Sequence, residues 1–143
     1  MGYQLSIVIV NYNVRDYLIS CLRSIYSELS PSEVQVIVVD NASTEPAEAE
    51  IKKLFPSVIW LANDKNIGFS AANNQGAKFA ESDCLLLLNP DTEIEKGSLG
   101  ILLNEFKKNK NRIIVPRLLN TDRTLQVSCW PFPKLRNVIM EAL

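Results

Sequence analysis

Two carboxylates stand where a chain could use them for chemistry. Asp40 closes the apolar run at 34–39, and Asp91 follows the apolar run at 85–88 in the turn Asn89-Pro90-Asp91-Thr92-Glu93. A carboxylate at the end of a buried strand can accept hydrogen bonds from a base imide or a ribose hydroxyl. It can equally cap the turn that follows, and Asp40-Asn41-Ala42-Ser43 is good turn chemistry. Asp91 has a different use open to it. Hard cations such as Mg²⁺ favour one or two carboxylates together with substrate phosphates, which makes Asp91 the best metal ligand in the chain. In isolation Asn-Pro-Asp is an ordinary strand-ending turn; its place after a buried strand, in the same sheet as Asp40, tips the balance toward a site.

Further groups join these two. Tyr12, in Asn11-Tyr12-Asn13 after the first apolar run, can stack on a nucleobase or simply cover the edge of the core. The polar stretch at 63–76 sets Gly68 and a row of amide side chains where a helix begins. Helix N-termini attract anions such as a diphosphate, although Ser70 as an N-cap explains the local pattern without any ligand.

The rest of the composition narrows the chemistry. The chain contains no histidine, which removes histidine triads, histidine bases and imidazole metal ligands together. Cys21, Cys84 and Cys129 are odd in number and far apart, as expected of reduced cysteines acting as small core residues. Lysine and arginine total 15 against 16 acidic residues, a net charge of -1 that argues against nucleic acid as a partner. The longest apolar runs fall far short of the roughly 20 residues of a membrane helix. The first run gives way to Asn11 without the small-residue cleavage site of a signal peptide, so a cytoplasmic protein is expected. With 143 residues and 47% hydrophobic content, residues 1–143 are expected to form a single domain.

The elements that must position these groups follow from the pattern. Strands are predicted at 5–10, 34–39, 58–61 and 84–88, and a fifth at 113–115. The first helix carries Tyr17, Leu18, Cys21, Leu22 and Ile25 and is capped by Asp16. The second opens with Pro46 and carries Ala49, Ile51, Leu54 and Phe55. The third presents Ala72, Gly76, Phe79 and Ala80 on one face, and the fourth Leu99, Leu102, Leu103 and Phe106. Residues 125–130 could pair back after a turn at 120–123, and the tail reads as a weakly anchored helix. Strands alternating with helices imply an α/β fold with an open, mostly parallel sheet and flanking helices. Ligands of such sheets bind beyond the carboxyl ends of the strands, where Asn11-Tyr12-Asn13, Asp40-Asn41-Ala42-Ser43 and Asn89-Pro90-Asp91 all fall. Neither a GxGxxG after the first strand nor a GxxxxGK[ST] occurs, which counts against a dinucleotide-binding domain or a P-loop.

Four segments in order, at 6–13 (SIVIVNYN), 38–43 (VVDNAS), 66–73 (NIGFSAAN) and 88–91 (LNPD), closely resemble family 2 inverting glycosyltransferases. The rhamnosyltransferase-like branch is the nearest. The resemblance runs from the first strand through Pro116, with a weaker continuation over 118–133. It implies the GT-A fold, a Rossmann-like nucleotide-diphospho-sugar transferase architecture, and a nucleoside-diphosphate sugar donor whose phosphates Mg²⁺ or Mn²⁺ bridges. By matching motif, Tyr12 would lie against the base, Asp40 would bond the base or ribose, and Asp91 would hold the metal. Asn89 stands where the family's Asp-x-Asp element often has another aspartate, and Arg123 where a glycine is expected. The full set expected at the donor is Asn11, Tyr12, Asp40, Asn41, Asn66, Gly68, Phe69, Asn73 and Asn89.

The reaction so implied passes a sugar, rhamnose being one candidate, to a saccharide or lipid-linked acceptor hydroxyl with inversion. It belongs to polysaccharide assembly at the inner membrane face, with peripheral membrane association. A general base takes the hydroxyl proton, and none of Glu93, Glu95, Glu105, Asp122 and Glu141 lies in a motif matching the family's base. The base is expected beyond Leu143, which makes the chain the donor-binding portion, truncated before the acceptor-binding half. Two readings compete with this: a non-catalytic nucleotide-binding or regulatory α/β module, such as a receiver phosphorylated on a strand-end aspartate, and a scaffold whose polar strand ends only terminate strands.

Overall fold

The computed structural model describes residues 2–45 and 47–127. The chain divides into two compact units, Met1–Arg112 and Ile113–Leu143.

The first unit is an α/β sheet of four parallel strands. Its elements run β1 (Leu5–Asn11), α1 (Arg15–Glu28), β2 (Val34–Asp40), α2 (Glu48–Leu54), β3 (Ile59–Ala62), α3 (Phe69–Ala77), β4 (Leu85–Leu88) and α4 (Ser98–Lys108). Every residue of β1 and β2 is buried, which is why their sequences read as continuous apolar runs rather than alternating ones. The strand order is β3-β2-β1-β4. The chain therefore moves outward from β1 to β3, then crosses back to place β4 on the other side of β1. One face of the sheet packs Ile7, Ile9, Val36 and Val38 against Leu18, Leu22 and Ile25 of α1, Ile51 of α2, and Leu99 and Leu103 of α4. The other face packs Val8, Val10, Ile37 and Val39 against Ala72 of α3. The helix changes face when the direction of travel reverses, so every crossover keeps the same hand.

The close approach of α3 to the sheet depends on Gly76. A Cβ there would come within 2.6 Å of Val8 Cγ1 and 3.0 Å of Val39 Cγ2. Both neighbours are β-branched, buried and held by strand pairing, so neither can turn aside. Gly76→Val is therefore expected to destabilise the fold by about 1–3 kcal/mol through overpacking, with part of the loss recovered in a Val8→Ala background. Urea denaturation of the two variants checks this.

Several local expectations change. Asp16 does not cap α1: the helix starts two residues earlier than that cap would give, Val14 takes the cap position without a side-chain bond, and Asp16 lies in the first turn beside Arg15. There a carboxylate still faces the positive end of the helix dipole. Ser70 is not the cap of α3 either. Gly68 holds that position at φ +87°, and Asn66 Oδ1 accepts the Gly68 N–H at 2.9 Å, so an amide turn leads the chain into the helix.

Phe79 and Ala80 lie past the end of α3, and Phe79 is exposed. The reason is a buried polar junction. Gln35 Nε2 donates to the Phe79 carbonyl at 3.0 Å, Gln35 Oε1 accepts the Glu81 N–H at 2.9 Å, and Ser6 Oγ accepts the Ser82 N–H at 3.1 Å. These bonds satisfy Ser6 and Gln35 inside buried strands and pull the chain off the helical path before β4. Pro46, placed in the first turn of α2 by the sequence, lies outside the described residues.

In the second unit no fifth strand forms at 113–115, where Ile113 is 92% and Val115 71% exposed. A β-branched triplet needs a partner ladder, and Pro116 removes one of its donors. The turn at 120–123 is present. Arg123 donates to the Asn120 carbonyl at 2.8 Å and adopts φ +66°, the left-handed conformation that glycine fills at least cost. Leu119 and Leu125 then form an antiparallel bridge. Residues 128–130 and the tail read as a helix lie outside the described residues. Among the described residues no helix is long and apolar enough to cross a membrane.

Candidate functional site

The register brings the polar strand ends to one edge. Asn11 of β1 pairs with Asp40 of β2, Asp40 pairs with Ala62 of β3, and Ile9 pairs with Leu88 of β4. The carboxyl ends of β1, β2 and β3 thus lie level, and β4 ends two residues short of them, beside Ile9. The reversal of strand order falls between β1 and β4, where an open α/β sheet leaves its crevice.

Asp40 is the centre of the first cluster. It is 9% exposed. Its Oδ1 accepts from Asn11 Nδ2 at 2.7 Å and from Ser43 Oγ at 2.6 Å, and its Oδ2 accepts the Ser43 N–H at 3.1 Å. The capping role and the crest position are therefore both real. Oδ1 is fully engaged in fixing the turn, whereas Oδ2 takes one bond and keeps accepting capacity for a ligand donor. Ser43 Oγ also accepts the Asn13 N–H at 2.9 Å, and Asn13 Oδ1 accepts from Thr44 N at 2.8 Å. Asn13 and Ala42 take φ +58° and +67°. The loops after β1 and β2 are thus stitched together, with Tyr12 held at their tip, 48% exposed.

Asn41 extends the cluster toward α3. It is buried; its Nδ2 donates to Asn66 Oδ1 at 2.8 Å and its Oδ1 accepts the Ile67 N–H at 3.0 Å. Asn66 in turn takes the Gly68 N–H, as above, so one chain of amides runs from the end of β2 to the start of α3. Phe69 is exposed at that start, and no side chain caps the helix, so its first-turn N–H groups have no intrahelical acceptor. Asn73 is buried and donates to the Phe69 carbonyl at 3.1 Å within its own helix. Its Nδ2 is committed to holding α3.

Asn89 and Asp91 share the edge by register, and among the described residues no hydrogen bond joins them to the Asp40 cluster. The Asn89 carbonyl closes the turn by accepting the Thr92 N–H at 3.2 Å. Asp91 is exposed and engaged by no hydrogen bond or ion pair among the described residues, in contrast to Asp40. No group of three or more acidic or cysteine side chains that could cage a metal occurs among the described residues. A lone uncommitted carboxylate suits a hard cation that brings substrate phosphates and waters as its other ligands, and it does not suit a closed structural metal site.

Cys21 backs this turn. Its thiol is fully buried and points to the Asn89 carbonyl at 3.8 Å. Burial, with smaller contributions from the charges of Asp91 and Glu93, pushes it up to about 12. Since the unfolded thiol loses its proton first, the contribution to stability is complete below about pH 9 and falls away as pH rises toward 12. Iodoacetamide at pH 8 is expected to leave Cys21 unmodified in the folded chain and to label it in guanidinium, as peptide mass spectrometry would show.

The sequence missed Ser43 as the pivot of the Asp40 cluster, though the Asp-x-x-Ser spacing signals such a turn. It also missed the contact of Cys21 with the Asn89 carbonyl, for which no local signal exists.

The sequence profile described as glycosyl transferase family 2 matches residues 6–126. The minor teichoic acid biosynthesis protein GgaB of Bacillus subtilis is 33% identical over 116 residues, covering 78% of this chain and 13% of that protein. The low-salt glycan biosynthesis hexosyltransferase Agl10 of Haloferax volcanii is 30% identical over 124 residues, covering 82% and 38%. The chain thus spans well under half the length of either relative. Among solved structures, S. aureus TarS 1-349 aligns with a TM-score of 0.67 at 22% identity over 79% of this chain and 38% of that one. The same protein is solved in complex with UDP, again with a TM-score of 0.67.

Proposed function

Since the chain belongs to glycosyl transferase family 2 and has the GT-A fold, we propose that its site binds a nucleoside-diphosphate sugar for transfer to an acceptor hydroxyl with inversion. The observation that carries this reading is the contrast at one sheet edge. Asp40 is fixed by three donors with an acceptor left over, and Asp91, beyond the neighbouring strand β4, is left uncommitted. A nucleoside needs the first and a metal-bound diphosphate the second.

Tyr12 would lie against the base, and Asp40 Oδ2 would accept from the base or ribose. The open first turn of α3, entered through Asn41, Asn66 and Gly68, would offer N–H groups to a phosphate. Asn11 acts by holding Asp40, and Asn73 by holding α3. Asp91 would hold Mg²⁺ or Mn²⁺, with Asn89 facing the phosphates. Such an ion supplies neutralisation of the charge that builds on the departing diphosphate.

The relatives named above are described by teichoic acid, glycan and hexosyl transfer, so a hexosyl donor is the better-supported choice over rhamnose. A saccharide or lipid-linked acceptor, met at the inner membrane face, completes the proposal. Calorimetry with UDP, dTDP and GDP, each with and without Mn²⁺, tests the reading. One of the three should bind and bind more tightly with the metal; silence from all three would sink it.

A further inference from the structure

Helix α1 packs against the sheet with one face, and with an adjoining row of side chains it reaches the segment that carries Asp91. Cys21, Ser24 and Glu28 recur at steps of three and four residues, so they lie along one side of the helix. Each meets the backbone of 89–97. The Cys21 thiol donates toward the Asn89 carbonyl at 3.8 Å. Ser24 Oγ accepts the Ile94 N–H at 2.9 Å and gives its own proton to the Cys21 carbonyl at 2.7 Å, which fixes the hydroxyl rotor with its lone pairs toward Ile94. Glu28 Oε2 accepts the Gly97 N–H.

These contacts bind a stretch that has little of its own to hold it. Between β4 and α4 there is no helix or strand. Local backbone bonds there are Thr92 N–H to the Asn89 carbonyl at 3.2 Å and Ser98 N–H to the Glu95 carbonyl at 3.0 Å. Gly97 sits at φ +83° as the cap of α4, so Glu28 fixes the exit of the segment as Cys21 fixes its entry. Asp91 lies between the two ends, and its carboxylate takes no bond from the described residues that could steady it.

We propose that Cys21, Ser24 and Glu28 form a positioning clamp, through which α1 sets the place of Asp91 and hence the affinity of the site for a divalent cation on a diphosphate. The inference rests on the donor-site reading above. The three residues act through the backbone of 89–97 and touch no substrate.

Ser24→Ala in the full chain is the test, with Mn²⁺-dependent UDP binding and metal-free uridine binding measured by calorimetry, and amide hydrogen exchange followed across 92–97. Loss of a supporting bond behind a metal ligand should weaken UDP binding with Mn²⁺ roughly 10-fold. Uridine affinity should stay within about twofold, since the Asp40 cluster is untouched. Exchange at Ile94 should quicken, and Ser24→Thr, which keeps the hydroxyl, should restore both the affinity and the protection. A metal-responsive wild type beside a Ser24→Ala variant of unchanged affinity, or one whose uridine binding falls in step, overturns the clamp alone. A wild type that binds UDP no better with Mn²⁺ than without overturns the donor-site reading and the clamp with it.

Discussion

Asp91→Ala is expected to weaken UDP binding in the presence of Mn²⁺ by about 100-fold, a loss of about 2.7 kcal/mol, while leaving metal-free binding within about twofold. The size follows from the arrangement of ligands. Among the described residues no group of three or more acidic or cysteine side chains surrounds Asp91, so the proposed site depends chiefly on its one carboxylate. The variant should fold as the parent does. Asp91 is exposed and bonds to no protein group among the described residues, and substitutions at such positions usually stay within about 0.5 kcal/mol. Thermal melting and calorimetry on the same preparation separate the two outcomes. A variant that keeps its Mn²⁺-enhanced affinity would remove Asp91 from the metal and leave its turn as a strand terminator.

The contrast between Asp91 and Asp40 could not have been read from the chain. Both are aspartates following apolar runs; β1 and β2, buried throughout, spell that burial as β-branched runs broken only by Ser6 and Gln35, whereas β4 before Asp91 is not the buried strand expected, since Leu85 and Leu87 are exposed. What each carboxylate does with its oxygens depends on groups brought in from elsewhere: Asn11 from 29 residues away for one, no donor among the described residues for the other. The same limit hid the clamp. Cys21, Ser24 and Glu28 have the spacing of any helix face, and only the crossover to β4 brings 89–97 against them. It also hid the junction of Ser6 and Gln35, because a polar residue within an apolar run gives no sign of what it bonds. The expected strand at 113–115 failed for the converse reason. Propensity is local, whereas a strand exists only where a partner's donors and acceptors are free to meet it. Glycine offered a better signal: Gly68 marked the entry to α3, where it takes the cap position read for Ser70.

Asp40→Ala should behave differently from Asp91→Ala on every measurement. Three donors lose their acceptor at once: Asn11 Nδ2, Ser43 Oγ and the Ser43 N–H. Asn11 suffers most. It is 1% exposed, its Oδ1 already has no hydrogen-bond partner among the described residues, and its Nδ2 would retain only Ser43 Oγ at 3.1 Å. Leaving buried donors unsatisfied is expected to cost about 2–4 kcal/mol of stability, read as a lower urea midpoint with an unchanged slope. If the proposed donor site sets the same carboxylate against the nucleoside, uridine affinity without metal should fall at least about tenfold, a loss that Asp91→Ala would not share. Ser43→Ala isolates the structural share. It removes the hydroxyl that ties Asn13 and Asp40 together and leaves the carboxylate in place, so stability should drop by about 1–2 kcal/mol with uridine affinity held within about threefold. Should Asp40→Ala bind uridine as well as the parent once both are folded, Asp40 is a turn cap alone, and the nucleoside must find its acceptor elsewhere on the edge.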